Sequence, residues 1–213
     1  MMRLRIDFSK TDAMRFCGHL DLFRTWERTF RRAAIRLSYT QGFKHHPRIN
    51  IASALPLGFT SSDEVMDVWL DGDISIEEIS RSLNQTLPAG LLINQISSVD
   101  ISAPSLQSTL VGSEYLATFL DDVIDLEGRV ATLLNQTAIP IERRGKTVDI
   151  RPYIYTITLY PNDNVGRQQL FLFLSTTQEK NARPDEVIKA LGLDPTGVLF
   201  HRQKLIFHSN SQP

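Results

Sequence analysis

From Met2 to Phe8 the apolar residues Leu4, Ile6 and Phe8 alternate with Arg3, Arg5 and Asp7. A period of two predicts a strand with one buried face. From about His19 to Ala34 the period lengthens to that of a helix. Phe23, Trp26, Phe30 and Ala33/Ala34 share one stripe, wide enough to pack on a sheet, while Arg24, Arg28, Arg31 and Arg32 fall at i, i+4, i+7 and i+8 on another. Asp21 sits in the first turn and the arginines gather toward the last, as the helix dipole favours.

The same reading predicts a short extended piece at 36–40 and a loop at 41–47. Strands follow at Ile49–Leu57, broken near Pro56, and at Asp63–Leu70, with Val65, Val68 and Leu70 toward the core. Ser75 and Glu78 fit a capping box that opens a helix over 76–87, and Leu91–Val99 reads as a further strand. The order β-α-β-β-α-β is the split βαβ pattern. Residues 101–111, polar and containing Pro104, read as a linker. A similar order then restarts: strand 114–119, helix 123–135, strands 139–144, 153–160 and 170–174, helix 184–191, strand 199–207. The expected fold is therefore α+β, two tandem ferredoxin-like halves with antiparallel sheets, over 1–100 and 112–213.

Composition adds limits. The chain has 213 residues and an ordinary apolar fraction of 42%, enough for a sizeable core in each half. No window approaches the ~20 apolar residues of a membrane span, and the N-terminus lacks the pattern of a secretory signal, so the expected location is the cytoplasm. The single cysteine, Cys17, excludes an internal disulfide, a Cys-only zinc site and an iron–sulfur cluster held by this chain alone.

The net charge of −1 hides a polarity. Residues 1–50 hold eleven Lys/Arg against four Asp/Glu, residues 51–140 two against thirteen, and residues 141–213 ten against seven. A basic head beside an acidic middle points to a polyanion or an acidic partner surface, unless head and middle neutralise each other within the fold.

Candidate chemistry gathers at that head. The loop Tyr39-Thr-Gln-Gly-Phe-Lys-His-His-Pro-Arg48 adds Tyr39, Lys44, His45, His46 and Arg48 to the helical arginines. His19 and His46 are the acid/base candidates if the chain is an enzyme. No HExxH, GxxxxGK[ST], GxGxxG or GxSxG pattern is present, so zinc hydrolysis, nucleotide hydrolysis, hydride transfer and serine hydrolysis have no support, and neither a metal nor a cofactor is expected. A second basic cluster, Arg143, Arg144, Lys146 and Arg151, flanks Gly145 and leads to Tyr153 and Tyr155. Cations beside aromatics suit a nucleic-acid strand, by phosphate attraction and base stacking.

The motifs Phe8-Ser-Lys-Thr, His19-Leu-Asp-Leu22, Glu27-Arg28, Arg31-Arg-Ala33, Tyr39-Thr-Gln-Gly-Phe43, His46-Pro-Arg48 and Leu55-Pro-Leu-Gly58 resemble the radical-SAM-linked protein family, as do Arg144-Gly-Lys146, Asp149-Ile-Arg-Pro152 and Ala182-Arg-Pro184. Cys17-Gly18 and Lys44-His45 depart from that family's pattern. The resemblance implies a bacterial domain of unknown function, standalone or fused to a radical SAM protein. Radical SAM chemistry needs three cysteines for its cluster, so the cluster would sit on another polypeptide. The resulting expectation is an RNA-binding accessory or substrate-recognition module for a radical SAM RNA-modifying enzyme, with tRNA or rRNA as the RNA and no catalysis of its own. Arg24, Arg28, Arg31, Lys44 and Arg48 would meet phosphates with Tyr39 close by, and Arg144, Lys146 and Arg151 would form a second patch. Five such contacts give a log–log salt slope of about −3.5 to −4.5. The alternatives are a metal-independent RNA endonuclease using His19 or His46, and a protein–protein adaptor.

Overall fold

The computed structural model describes residues 1–177 and 179–208. It is a mixed α+β structure whose strands pair antiparallel, and it divides into two compact units, residues 1–109 with His208, and Leu110–Phe207. Among the described residues no helix is long and apolar enough to cross a membrane.

The first unit contains β1 (Met2–Lys10), α1 (His19–Arg32), β2 (Ile49–Ile51), β3 (Thr60–Leu70), α2 (Ile76–Thr86), β4 (Leu91–Val99) and a single turn of helix, α3 (Leu106–Thr109). Its strands lie in the order β4–β1–β3–β2. Leu4 pairs with Val68 and Ile6 with Met66, so these side chains share the face that α1 and α2 cover. Phe8 meets Trp26 edge-on at 5.0 Å, and Ile79 and Leu83 of α2 close the same core. Ser75 caps α2, its hydroxyl accepting from the Glu78 N–H at 3.2 Å, which is the Ser75 half of the expected capping box.

Three expectations change here. The buried stripe of α1 is Leu22, Trp26, Thr29 and Phe30, while Phe23 is half-buried and Ala34 exposed. Ala34 has left the helix: at φ 57° it takes the left-handed position after the C-cap, where the Ile35 N–H reaches the Phe30 carbonyl. Val65 pairs with Asp7, not with the core-facing residues, and so lies on the opposite face of the sheet. That face is also covered, which is why 64–68 are buried without a break and the alternation fades. The cover includes the stretch that reads as a linker. The Arg3 guanidinium donates to the carbonyls of Asp100, Ala103 and Pro104, Leu106 is buried, and the Gln107 amide donates to the Ile51 carbonyl at 2.7 Å. Arg3 and Arg5 both pair with buried Asp67, at 2.6 and 2.9 Å.

The second unit contains β5 (Leu110–Phe119), α4 (Leu126–Leu134), β6 (Pro140–Arg143), β7 (Lys146–Asp149), β8 (Ile154–Tyr160), β9 (Gln169–Ser175), α5 (Pro184–Ala190) and β10 (Val198–Phe207). Its main sheet runs β10–β5–β9–β8. The predicted strand at 139–144 does not join that sheet. It pairs with β7, a strand the sequence does not announce, as a separate hairpin turned by Arg144 and Gly145, both at positive φ. Leu170, Leu172 and Leu174 of β9 are fully buried, as are Val187 and Ile188 of α5.

Candidate nucleic-acid interface

Along α1, Arg24, Arg28 and Arg31 are exposed on the side away from Trp26 and span about 10 Å of helix axis. Arg24 makes an exposed ion pair with Asp21 at 3.5 Å, a contact of little strength. No carboxylate among the described residues lies within ion-pair distance of Arg28 or Arg31. Arg32 turns away: it donates to the Thr86 carbonyl at 2.8 Å, at the end of α2, and to the Thr29 hydroxyl. Asp7, on the outer face of β1, is pushed up to about 6 by burial, then by the neighbouring Asp63.

The loop after α1 projects beside the edge of β3. Its base is closed by an antiparallel bridge between Tyr39 and Pro47, by the Thr40 N–H on the His46 carbonyl at 2.9 Å, and by the Ser38 N–H on the Trp69 carbonyl at 2.7 Å. Pro47 is buried, while Gln41 to His46 are exposed. The His46 N–H donates to the Thr40 hydroxyl at 3.1 Å, and its ring is left outward for solvent; His45 Nδ1 lies 3.0 Å from the Thr40 carbonyl. A carbonyl only accepts, so Nδ1 carries a proton there. Phe43, which a reading of charges passes over, is fully exposed at the tip. The signal for it is an aromatic between a glycine and a lysine.

Arg48 does not share this exposure. Its guanidinium lies over the Trp69 ring at 4.5 Å and is half-buried, with Arg3 over the same ring at 5.0 Å. His19 is half-buried in the first turn of α1. Cys17 is half-buried and burial pushes its thiol up, away from thiolate reactivity at neutral pH. Among the described residues no group of three or more His, Cys, Asp or Glu could hold a metal ion.

The second cluster divides. Arg144 and Lys146 are exposed at the turn of the β6–β7 hairpin. Arg151 is spent on the end of α4, donating to the Leu134 and Gln136 carbonyls at 3.1 and 3.2 Å. Arg143 forks onto Glu186, Nε to Oε1 at 2.7 Å, and also reaches the Asn181 carbonyl. A cleft of about 830 Å³ beside this pair mixes Arg144, Arg183 and Lys189 with Glu142, Asp185 and Glu186, so no one charge prevails in it.

The first unit thus presents a basic helix face and a closed, cationic, aromatic-tipped loop, carried on an α+β frame. The chain belongs to DUF2344, a family described as an uncharacterized protein conserved in bacteria, whose model matches residues 3–184. No curated protein matches it. Among solved structures it is similar to a Cbf5-Nop10-Gar1 complex (10% identity, 95% of this chain and 48% of that one, TM-score 0.48). It is also similar to an H/ACA RNP bound to a substrate RNA containing 2'-deoxyuridine (12% identity, 95% and 47%, TM-score 0.46). A third is the small subunit of acetolactate synthase from Thermotoga maritima (10% identity, 97% and 95%, TM-score 0.29). The chain spans about half the length of the first two. Likenesses of this size bear on neither substrate nor partner.

Proposed function

We propose that this protein is an RNA-binding accessory module that works in the cytoplasm with a radical SAM RNA-modifying enzyme, delivering tRNA or rRNA to chemistry carried out on another polypeptide. The observation that carries the RNA half of this reading is the pair Arg28 and Arg31, exposed on one helical face with no carboxylate in ion-pair distance among the described residues. Arg24 and Lys44 extend it, and Arg144 and Lys146 add cations on the second unit. One cysteine cannot supply the three a radical SAM cluster needs, which favours a partner. On the frame, the orders β4–β1–β3–β2 and β10–β5–β9–β8 support reading both units as split βαβ folds, the second with a hairpin inserted before its second strand.

Filter binding of cellular RNA over a salt series tests the reading. With Arg48 engaged on Trp69, four contacts remain from Arg24, Arg28, Arg31 and Lys44, and the expected log–log slope is about −3 on single strands. Replacing Arg28 and Arg31 together by Ala shallows it by about 1.4. Failure to bind any RNA at low salt overturns the proposal.

A protein–protein role is favoured by one further observation. The Arg15 Nε donates to the Gly58 carbonyl at 2.8 Å and the Gly58 N–H donates back at 3.0 Å, which ties together the segments carrying exposed Phe16 and Leu57, with exposed Leu20 in the first turn of α1. Apolar side chains held in water this way suit a partner protein. Co-purification that survives nuclease and is lost in Phe16→Glu supports it.

A further inference from the structure

We infer that the loop from Tyr39 to Pro47 is a stacking platform for unpaired bases, so that the RNA it takes is single-stranded and not continuous duplex; this rests on the RNA-binding reading above. Phe43 is the most exposed large apolar residue of those described, at 103% of its reference area, and Tyr39 at the base of the same loop is about half exposed. A phenyl ring left in water forgoes the stabilisation that burial would supply. The loop nevertheless holds it out. The Tyr39–Pro47 bridge, the Thr40–His46 backbone bond and the Thr40 hydroxyl on the His46 N–H fix the base, so the tip is not free to fold the ring back by opening the loop. Gly42 lies at φ 128°, and a Cβ at that position would meet nothing within 4 Å. Glycine is therefore required there by backbone conformation and not by space, and it turns the chain just before the ring.

The chemistry beside the ring selects the ligand. Lys44 follows Phe43 directly, and the His45 ring is oriented by its Nδ1 hydrogen bond to the Thr40 carbonyl, leaving Nε2 outward. An aromatic face next to a cation takes a base on one and its phosphate on the other, worth about 1–3 kcal/mol per stacked base. In an A-form duplex the base faces are already stacked on each other and the major groove is too deep and narrow for a side chain, so Phe43 has nothing to receive there.

Fluorescence anisotropy with the full chain, comparing an unstructured twelve-nucleotide oligoribonucleotide with a duplex of the same composition, tests this (the probe length being about one site size). The single strand is expected to bind at least fivefold tighter. Phe43→Ala weakens single-strand binding by about 5- to 150-fold, the fold-change equivalent of that stacking range, while duplex affinity and the salt slope stay unchanged. Phe43→Trp keeps the affinity, and the added indole is quenched on binding. Equal affinity for both probes, or a silent Phe43→Ala in a chain that still binds RNA with a steep salt slope, overturns the inference alone. Loss of all RNA binding by the unaltered chain overturns the RNA reading with it.

Discussion

The two basic stretches of this protein look alike as strings of letters, yet they commit different arginines to holding the fold. On α1, Arg28 and Arg31 reach into solvent with no carboxylate partner among the described residues. Around the β6–β7 hairpin, Arg143 is forked onto Glu186 and Arg151 holds two carbonyls at the end of α4. The difference lies in what is within reach. An arginine on the far side of an amphipathic helix sees only its own helix. One beside another helix's C-terminus meets orphan carbonyls that need a donor. A cluster of positive residues therefore marks a binding surface only after the acceptors around it have been counted.

The comparison can be pushed to its buried limit. Arg3→Ala is expected to cost about 3–5 kcal/mol in urea unfolding, because it removes one of the two partners of buried Asp67 and strips three carbonyls of their donor. A loss below about 1 kcal/mol would mean that Arg5 and water suffice. Next in size is a matched pair. Arg143→Ala should destabilise by about 1–3 kcal/mol, leaving Glu186 without its fork, whereas Arg31→Ala should stay within about 0.5 kcal/mol. Equal losses would erase the distinction between spent and open arginines.

Carboxylates offer the smallest test. Asp67 has two arginines, whereas Asp7 stands half-buried near Asp63 and its pKa is raised to about 6. The native state then binds a proton more tightly than the unfolded chain, so this group's contribution is fully present below pH ~4 and is lost as pH rises through about 6. Asp7→Asn is expected to gain about 1 kcal/mol at pH 7.5, after discounting for partial exposure, and nothing at pH 4. A gain that does not vary between those pH values would show that the carboxylate is not the cause.

Much of the frame is legible in the sequence because each strand or helix carries its own period. Leu4, Ile6 and Phe8 announce β1, and the spacing of Arg24, Arg28 and Arg31 announces the outer face of α1. What stays hidden depends on partners distant in the chain. Residues 101–111 read as a linker because the hold of Ala103 and Pro104 on Arg3 uses backbone carbonyls, which every residue carries and no residue type reveals. Val65 reads onto the wrong face because burial from both sides removes alternation. The α1 stripe starts at Leu22 and not Phe23 because Leu22, four residues before Trp26, shares its face of the helix most closely. At the candidate site, charge draws attention to Lys44 and Arg48. The aromatic tip carries no charge to mark it, and Trp69, which claims Arg48, lies on a strand that sequence distance separates from it.

The closed base of the loop carries an evolutionary corollary. Since the backbone bonds that close its base join Ser38, Tyr39, Thr40, His46, Pro47, Arg48 and Trp69, the exposed residues 41–44 hang from the scaffold like an exchangeable cassette. Exchange at Gln41, Phe43 or Lys44 can therefore retune ligand preference while the base stays closed, provided Gly42 keeps its positive φ.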